Sequence, residues 1–431
     1  MARHLRAAIA RVKVQIRSQL PVDVNSIAAE TGHVWRENKL TPAVTIWLFM
    51  LQVLNGNVAI TALHHLSGMM MQASSYCEAR KRLPLELFAR LFDAISQAAV
   101  EGIALAAGMV IEQSSQALIH GRRVLLGDVT TFSMPDTEAL RQHFGYPAGQ
   151  REGLGFPVAR LLGVIDALSG CVLVAMGGPL FTHEAREMLQ LHPLLKRGDI
   201  LVADRGFCSY LQIAQLIDHG VDVVMHLHQR RKPGALRDYI ETWTKPLLRP
   251  AWMSLALWEQ IPESINIRIV RYSVVGRNGR RKQIHIATTL LDKVAYPADL
   301  IQRVYGHRWN IETCFNSLKT HAKMNTLKCK DVDGVIKELI MYLIVWNLVR
   351  MAMTKFAQRI GVSVWRVSFI DTVRWLCSLL QGPRPATLDL LLNPDRPGRW
   401  EPRKLKRRNK EYDLLSEPRQ NLKAKYRARC A

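Results

Sequence analysis

Two short stretches constrain the fold of this chain more than anything else in it. Val124-Leu125-Leu126-Gly127 and Ile200-Leu201-Val202-Ala203 carry no polar side chain, and each runs straight into an aspartate, Asp128 and Asp204. A short apolar run bounded by polar residues is the pattern of a strand buried on both faces, which needs cover on both sides of a sheet. A carboxylate at the end of such a strand projects from the sheet edge, where sites are built. Either aspartate alone reads as an ordinary strand-end residue. Two of them repeat one geometry.

The order around these runs is mixed α/β. Leu161 to Asp166 and Cys171 to Met176, joined by Ala167-Leu168-Ser169-Gly170, read as a hairpin. A helical stretch follows around Glu184 to Leu195, and a helix over Tyr210 to His219 leads to a strand over Val221 to Leu227. From 229 to 290 the texture is β-rich: Ile265, Ile267 and Ile269 alternate with polar residues, Asn278-Gly279 marks a hairpin turn, and Ile284 to Thr289 returns. Helices dominate from Pro297 to about residue 381.

Residues 1 to about 115 read mostly as helix. Ile9, Val12, Ile16 and Leu20 stand at helical spacing in an Arg-rich first segment, and Thr41-Pro42 opens a helix that Asn55-Gly56-Asn57 stops. Val58 to Leu66, a break at Ser67-Gly68, and Ala73 to Leu83 have the shape of a DNA-reading helical pair, with Arg80, Lys81 and Arg82 on its second helix. Many helical hairpins of that shape read nothing.

Charge narrows the partner. Lys and Arg total 59 against 36 Asp and Glu, a net +23. A field of that sign suits a large polyanion, most simply nucleic acid. Arg399 to Ala431 alone holds 12 basic residues against 4 acids and reads as a weakly folded basic arm. The longest apolar run, Leu339 to Trp346, is too short to cross a membrane and reads as a buried helix. Seven cysteines without a CxxC pair argue against a disulfide framework and structural zinc, and for a reducing compartment. His226 and His228 share one face of a strand, but no cysteine or acid lies close by in sequence to complete a metal site.

The strongest local signal is Tyr305, Arg308, Glu312 and Lys319. On a helix at about 100° per residue, the four fall within roughly 60° of one another. That stripe offers a carboxylate for a divalent metal, two cations for phosphates on either side of it, and a phenol for a contact or packing edge. A solvated face with an i,i+4 Arg–Glu pair would look the same. The two strand-end aspartates tip the balance. Three carboxylates are what two divalent ions need to grip an in-line phosphoryl displacement.

The spacing Tyr-x2-Arg-x3-Glu-x6-Lys resembles the signature of the insertion-sequence DDE transposases, in particular the insertion-sequence-four family, and matches it position for position. Gly127-Asp128-Val129-Thr130-Thr131 resembles the segment around that family's first acid, with Val129 where a glycine is expected. Ala203-Asp204-Arg205-Gly206-Phe207, followed by Ser209-Tyr210, resembles the second. The likeness continues through Leu290-Leu291-Asp292 and, in the tail, through Glu401-Pro402-Arg403 and Lys406-Arg407-Arg408. It is less specific over Ser75 to Pro84, and covers most of residues 40–420.

The resemblance implies an α/β fold: an RNase H-like catalytic core interrupted by a β-rich insertion, with an all-helical N-terminal domain and a basic C-terminal tail. The expected division is 1–115 helical DNA-binding region, 116–228 first part of the core, 229–290 insertion, 291–385 second part of the core, and 386–431 tail. The spacings of 76 residues between the aspartates and 108 from Asp204 to Glu312 leave room for that insertion. Asp128, Asp204 and Glu312 are the implied catalytic acids and ligands of two Mg2+ ions, with Mn2+ as an alternative. Tyr305, Arg308, Lys319, Arg80, Lys81, Arg82, Lys406, Arg407 and Arg408 are the implied DNA contacts. The implied partners are double-stranded DNA, as transposon inverted repeats and as target, and a second subunit on DNA; the implied location is the bacterial cytoplasm, at the nucleoid. Relatives hold a flipped base on an aromatic ring. Trp243, Trp252 and Trp258 are candidates for that ring, and each also reads as packed core. An RNase H-like nuclease without strand transfer, or a non-catalytic DNA-binding regulator, would share most of these features.

Overall fold

Both apolar runs are central strands of one large sheet. In the computed structural model, which describes residues 22–107, 118–147, 153–179, 192–275, 281–381, 388–394 and 414–430, helices cover that sheet. The expected amphipathic helix over residues 1–21, the Asn278-Gly279 turn, most of the helical stretch near 184–195, and Lys406, Arg407 and Arg408 lie outside the described residues.

The chain begins with helices α1 (Val24–Glu30), α2 (Pro42–Leu54), α3 (Leu63–Ser67), α4 (Ala73–Arg82) and α5 (Leu85–Ala107). Their boundaries follow local chemistry. Thr41 caps α2 by accepting from the Val44 N–H, and Pro42 occupies its first turn. Gly68, at φ 64°, closes α3 in a left-handed conformation that a side chain would disfavour.

The sheet follows. Strand β1 (Leu118–Ile119) pairs with β2 (Arg122–Ser133), beyond which lies α6 (Glu138–Phe144). Strands β3 (Val158–Asp166) and β4 (Val172–Pro179) form the expected hairpin, antiparallel to β2 and to each other. Its turn is held by Asp166, which accepts from the Leu168 and Ser169 N–H groups and the Ser169 hydroxyl. Strand β5 (Ile200–Ala203) lies parallel to β2; α7 (Tyr210–Asp218) then leads to β6 (Asp222–His226), parallel to β5.

The β-rich stretch does not build a sheet of its own. Strands β7 (Asp238–Thr244), β8 (Ser264–Val275) and β9 (Arg281–Thr288), with the short helix α8 (Leu255–Gln260) between β7 and β8, join the main sheet through β9 against β6. The order is β4-β3-β2-β5-β6-β9-β8-β7. The alternation of Ile265, Ile267 and Ile269 predicts a solvated opposite face, yet Arg268 between them is fully buried. Its guanidinium grips Asp238 at 2.7 and 2.8 Å and donates to the carbonyls of Leu290 and Tyr296, so the segment after β9 covers the face that alternation leaves open.

The remaining helices are α9 (Ala298–Gly306), α10 (Arg308–Thr320), α11 (Val332–Ile360), α12 (Phe369–Gln381) and α13 (Arg419–Cys430). Helix α11 contains the run Leu339 to Trp346 and packs against α2, α5 and α12. No helix among the described residues is long and apolar enough to cross a membrane. Part of the basic tail is folded: Arg419, at the start of α13, pairs with Asp136 at 2.8 Å, donates to the Gly153 carbonyl at 3.0 Å and lies over the Phe156 ring.

Asn347 on α11, fully buried, ties the helical layer to the outer strand β4. It accepts from the Val172 N–H at 2.8 Å and donates to the Val172 carbonyl at 2.8 Å and the Ser96 hydroxyl at 3.1 Å. Asn347→Ala would leave the Val172 N–H without its partner in an apolar setting and reduce the Val172 carbonyl and the Ser96 hydroxyl to their bond with each other. It should lower stability by about 3 kcal/mol in urea denaturation; a change within about 0.5 kcal/mol would show that the clasp is not needed.

Candidate active site

The site forms where the parallel pairing ends: Asp204 stands just beyond β5 as expected, but Asp128 is not a strand-end residue, because β2 runs on to Ser133 against β3. Gly127 pairs with Ala203, and Ala203 with Met225. Carrying that register one residue further sets Asp128, Asp204 and His226 abreast on three adjacent strands, and paired residues share a face. All three are half-buried.

Helix α10 crosses this face against β2. A glycine governs how near it comes. Gly163 of β3 is the register partner of Asp128, and a Cβ there would stand 3.1 Å from the Phe315 ring of α10. Without that carbon, Phe315 settles onto the sheet, and Glu312, one turn earlier, is carried toward Asp128. An isolated glycine inside an apolar strand is a readable mark of close approach.

The stripe is not on one unbroken helix. Tyr305 sits in the last turn of α9, and Arg308, Glu312 and Lys319 lie on α10 beyond a joint at His307. His307 keeps right-handed helical dihedrals, and Tyr305 and Arg308 remain neighbours across it. Arg308 is 9% exposed and pairs with Glu312 at 2.7 Å. Its guanidinium also stands 5.8 Å from the Tyr305 ring centre and 5.1 Å from that of Trp309, while its Nε is buried with no partner. Burial works against its charge, but Tyr305, Glu312 and Asp204 together hold it more firmly protonated than an ordinary arginine. Lys319 is half-buried in the last turn of α10. Trp309, 62% exposed beside this cluster, was not singled out by sequence reasoning; an exposed tryptophan next to the arginine of the stripe was the available signal.

The electrostatics link the three carboxylates. The Asp128 carboxyl is pushed up to about 6, first by burial and then by the negative charges of Glu312 and Asp204. The Val129 N–H and the Arg308 charge oppose the shift. His226 stacks on Tyr305 with ring centres 6.2 Å apart, and burial, aided by Arg205, pulls its pKa down to about 4. The Tyr305 phenol is pushed up to about 12, chiefly by burial.

Oxygen donors of this kind suit hard divalent cations such as Mg2+ or Mn2+, and the mutual repulsion at Asp128 is the field a cation would relieve. Among the described residues no three His, Cys, Asp or Glu side chains stand close enough to hold an ion between them. Glu312 is turned to Arg308 instead.

The other sequence candidates scatter. Arg80 points inward, over the Phe49 ring at 4.5 Å, and donates to Gln52 and to the Cys329 sulfur. Lys81 and Arg82 beside it are exposed. Trp243 is 3% exposed with the Arg231 guanidinium 3.4 Å above its ring, and Trp258 faces Lys245. Trp252 is half-buried.

Two neighbouring parallel strands thus present carboxylates beneath a helix that carries a third acid and an arginine. A family model, the transposase DDE domain, matches residues 119–348, more than half of the chain, and the chain belongs to that family. The transposase InsG for insertion sequence element IS4 of Escherichia coli (strain K12) is 27% identical over 209 residues, covering 44% of this chain and 45% of the relative. The chain thus matches a little under half the length of that curated relative. Among solved structures, a piggyBac transposase synaptic complex with hairpin DNA is similar at 9% identity, over 86% of this chain and 80% of that one, with a TM-score of 0.46.

The raised Asp128 carboxyl makes a stability prediction. The folded protein holds this proton more tightly than the unfolded chain does. The stability it contributes is therefore present below the ordinary value near 3.8 and lost as pH rises through about 6. Asp128→Asn, which cannot ionise, should be more stable than wild type by about 2 kcal/mol at pH 7.5 in chelator, and the gap should close near pH 4. An equal difference at both pH values, by thermal denaturation, would contradict the assigned crowding.

Proposed function

We propose that the chain is a DNA transposase that cuts at the inverted-repeat ends of a mobile element and joins them to target DNA. The observation that carries this reading is the alignment of Asp128 and Asp204 on neighbouring parallel strands, with Glu312 on the helix that Phe315 seats against Gly163. Family membership supports it.

The strand order supports an RNase H-like core. Three antiparallel strands, β4-β3-β2, continue into two parallel ones, β5-β6, and the strands of residues 229–290 extend that sheet as the insertion. Helices α1 to α5 and, in the tail, α13 flank this core. Together with Lys81 and Arg82 they supply cations for the DNA backbone, in keeping with the net +23.

Asp128, Asp204 and Glu312 would hold the divalent ions, two Mg2+ in our reading, which supply charge to the attacking and leaving oxygens of an in-line displacement. The Arg308 guanidinium, with its unpartnered Nε and its face along Tyr305, is placed to bind a phosphate as Glu312 is drawn away from it. Lys319 binds phosphate further along the helix, and Tyr305 supports Arg308 from the side. In the first displacement, water attacks the phosphodiester at the element's end and the 3′-hydroxyl leaves. In the second, that hydroxyl attacks a target phosphodiester, one P–O bond forming as another breaks. Two ends must be cut and joined together, which favours a dimer on DNA.

Asp204→Asn should bind end DNA within about twofold of wild type. It should lose cleavage by about a thousandfold or more, the scale on which a lost transition-state charge partner acts. Gel-shift and cleavage assays on one labelled end duplex measure both. Full cleavage by the variant would reject the assignment; cleavage without joined products by the wild type would reduce the protein to a nuclease.

A further inference from the structure

His226 takes part in no hydrogen bond from its side chain among the described residues, although it stands in the row of the two aspartates. Its Nδ1 is enclosed without a partner, and the residue as a whole is half-buried, which leaves Nε2 as the edge of the ring with access to solvent. A buried N–H with nothing to donate to is costlier and rarer than a buried acceptor left idle. The proton of the neutral ring therefore belongs on Nε2, making the outward edge a donor.

The ring cannot easily turn away. One face stacks on Tyr305 with the planes 26° apart, and its own strand is pinned on both sides by β5 and β9. At roughly 5 Å per strand, Nε2–H is held one strand from Asp204 and two from Asp128. Arg205, Lys282 and Arg308 all act electrostatically on this ring, so an anion brought to it would meet a positive surround. Among the described residues, Asp204 is the carboxylate whose charge acts most on it.

We propose that His226 is a further DNA-contacting residue of the active site, its Nε2–H donating to a phosphate oxygen of the strand held beside Asp204. This rests on the transposase reading and adds to it a donor that fixes where the strand lies across the ends of the three parallel strands.

Three variants separate the donor from the ring. His226→Phe keeps the stack on Tyr305 and removes the donor; His226→Gln places an amide N–H near the Nε2 position; His226→Asn places one nearer Nδ1. Wild type and variants are compared on one end duplex with Mg2+, for binding and for single-turnover cleavage. We expect His226→Phe to cut about tenfold more slowly at nearly unchanged binding, His226→Gln to recover most of the rate, and His226→Asn to stay slow. The second readout is a series of duplexes, each with one phosphate near the cut replaced by a neutral methylphosphonate. One such position should slow wild type about tenfold and leave His226→Phe no slower than it already is.

Wild-type cleavage rates in His226→Phe, or a Gln variant as slow as the Phe variant, would overturn the proposal. So would additive losses at every methylphosphonate position. The outcomes stay distinct from those of the parent reading. If wild type itself fails to cut end DNA, the transposase reading falls; if wild type cuts and His226→Phe cuts equally well, only the inference about His226 does.

Discussion

The distance between helix α10 and strand β2 is the quantity on which the rest of the site depends. The sheet carries two of the acids and the helix carries the third, together with the arginine and the lysine. No covalent link sets their separation; it comes from the Phe315 ring meeting the bare backbone of Gly163, where one added carbon would stand at 3.1 Å. Interiors are packed closely enough that such a carbon must displace something. The chain meets the demand for closeness with the smallest residue at the register partner of Asp128.

Like charges drawn together this way need an answer, and the structure gives two. Burial and repulsion hold the Asp128 carboxyl near 6, so part of its charge is withheld around neutrality. Arg308 pairs with Glu312 and keeps the third acid occupied. The arginine is itself half surrounded by rings, those of Tyr305 and Trp309, whose faces tolerate its charge. The net +23 is a long-range field; this small cluster is where the field acquires direction.

Much of this was legible in the sequence, for local reasons. The apolar runs before Asp128 and Asp204 are strands because residues buried on both faces must be apolar throughout, and the stripe of Tyr305, Arg308, Glu312 and Lys319 survives because its period is that of a helix. What could not be read depends on contacts between distant segments. The burial of Arg268 needs the segment around Leu290 and Tyr296. The inward turn of Arg80 needs Phe49, Gln52 and Cys329. The merging of the β-rich stretch into the main sheet needs β6 to lack another neighbour on that side. The joint at His307 is too mild to leave a breaker in the sequence.

The row formed by Asp128, Asp204 and His226 has a consequence for how this protein can vary over time. Side chains in a strand alternate between faces, so what matters in β5 is the count of residues as much as their kind. Within Ile200–Ala203 one aliphatic residue can replace another and the strand survives. A single inserted or deleted codon would preserve the apolar run and the sheet, while handing Asp204 to the opposite layer. Silent drift in composition and strict conservation of length are thus the expected signature of this short segment across its lineage.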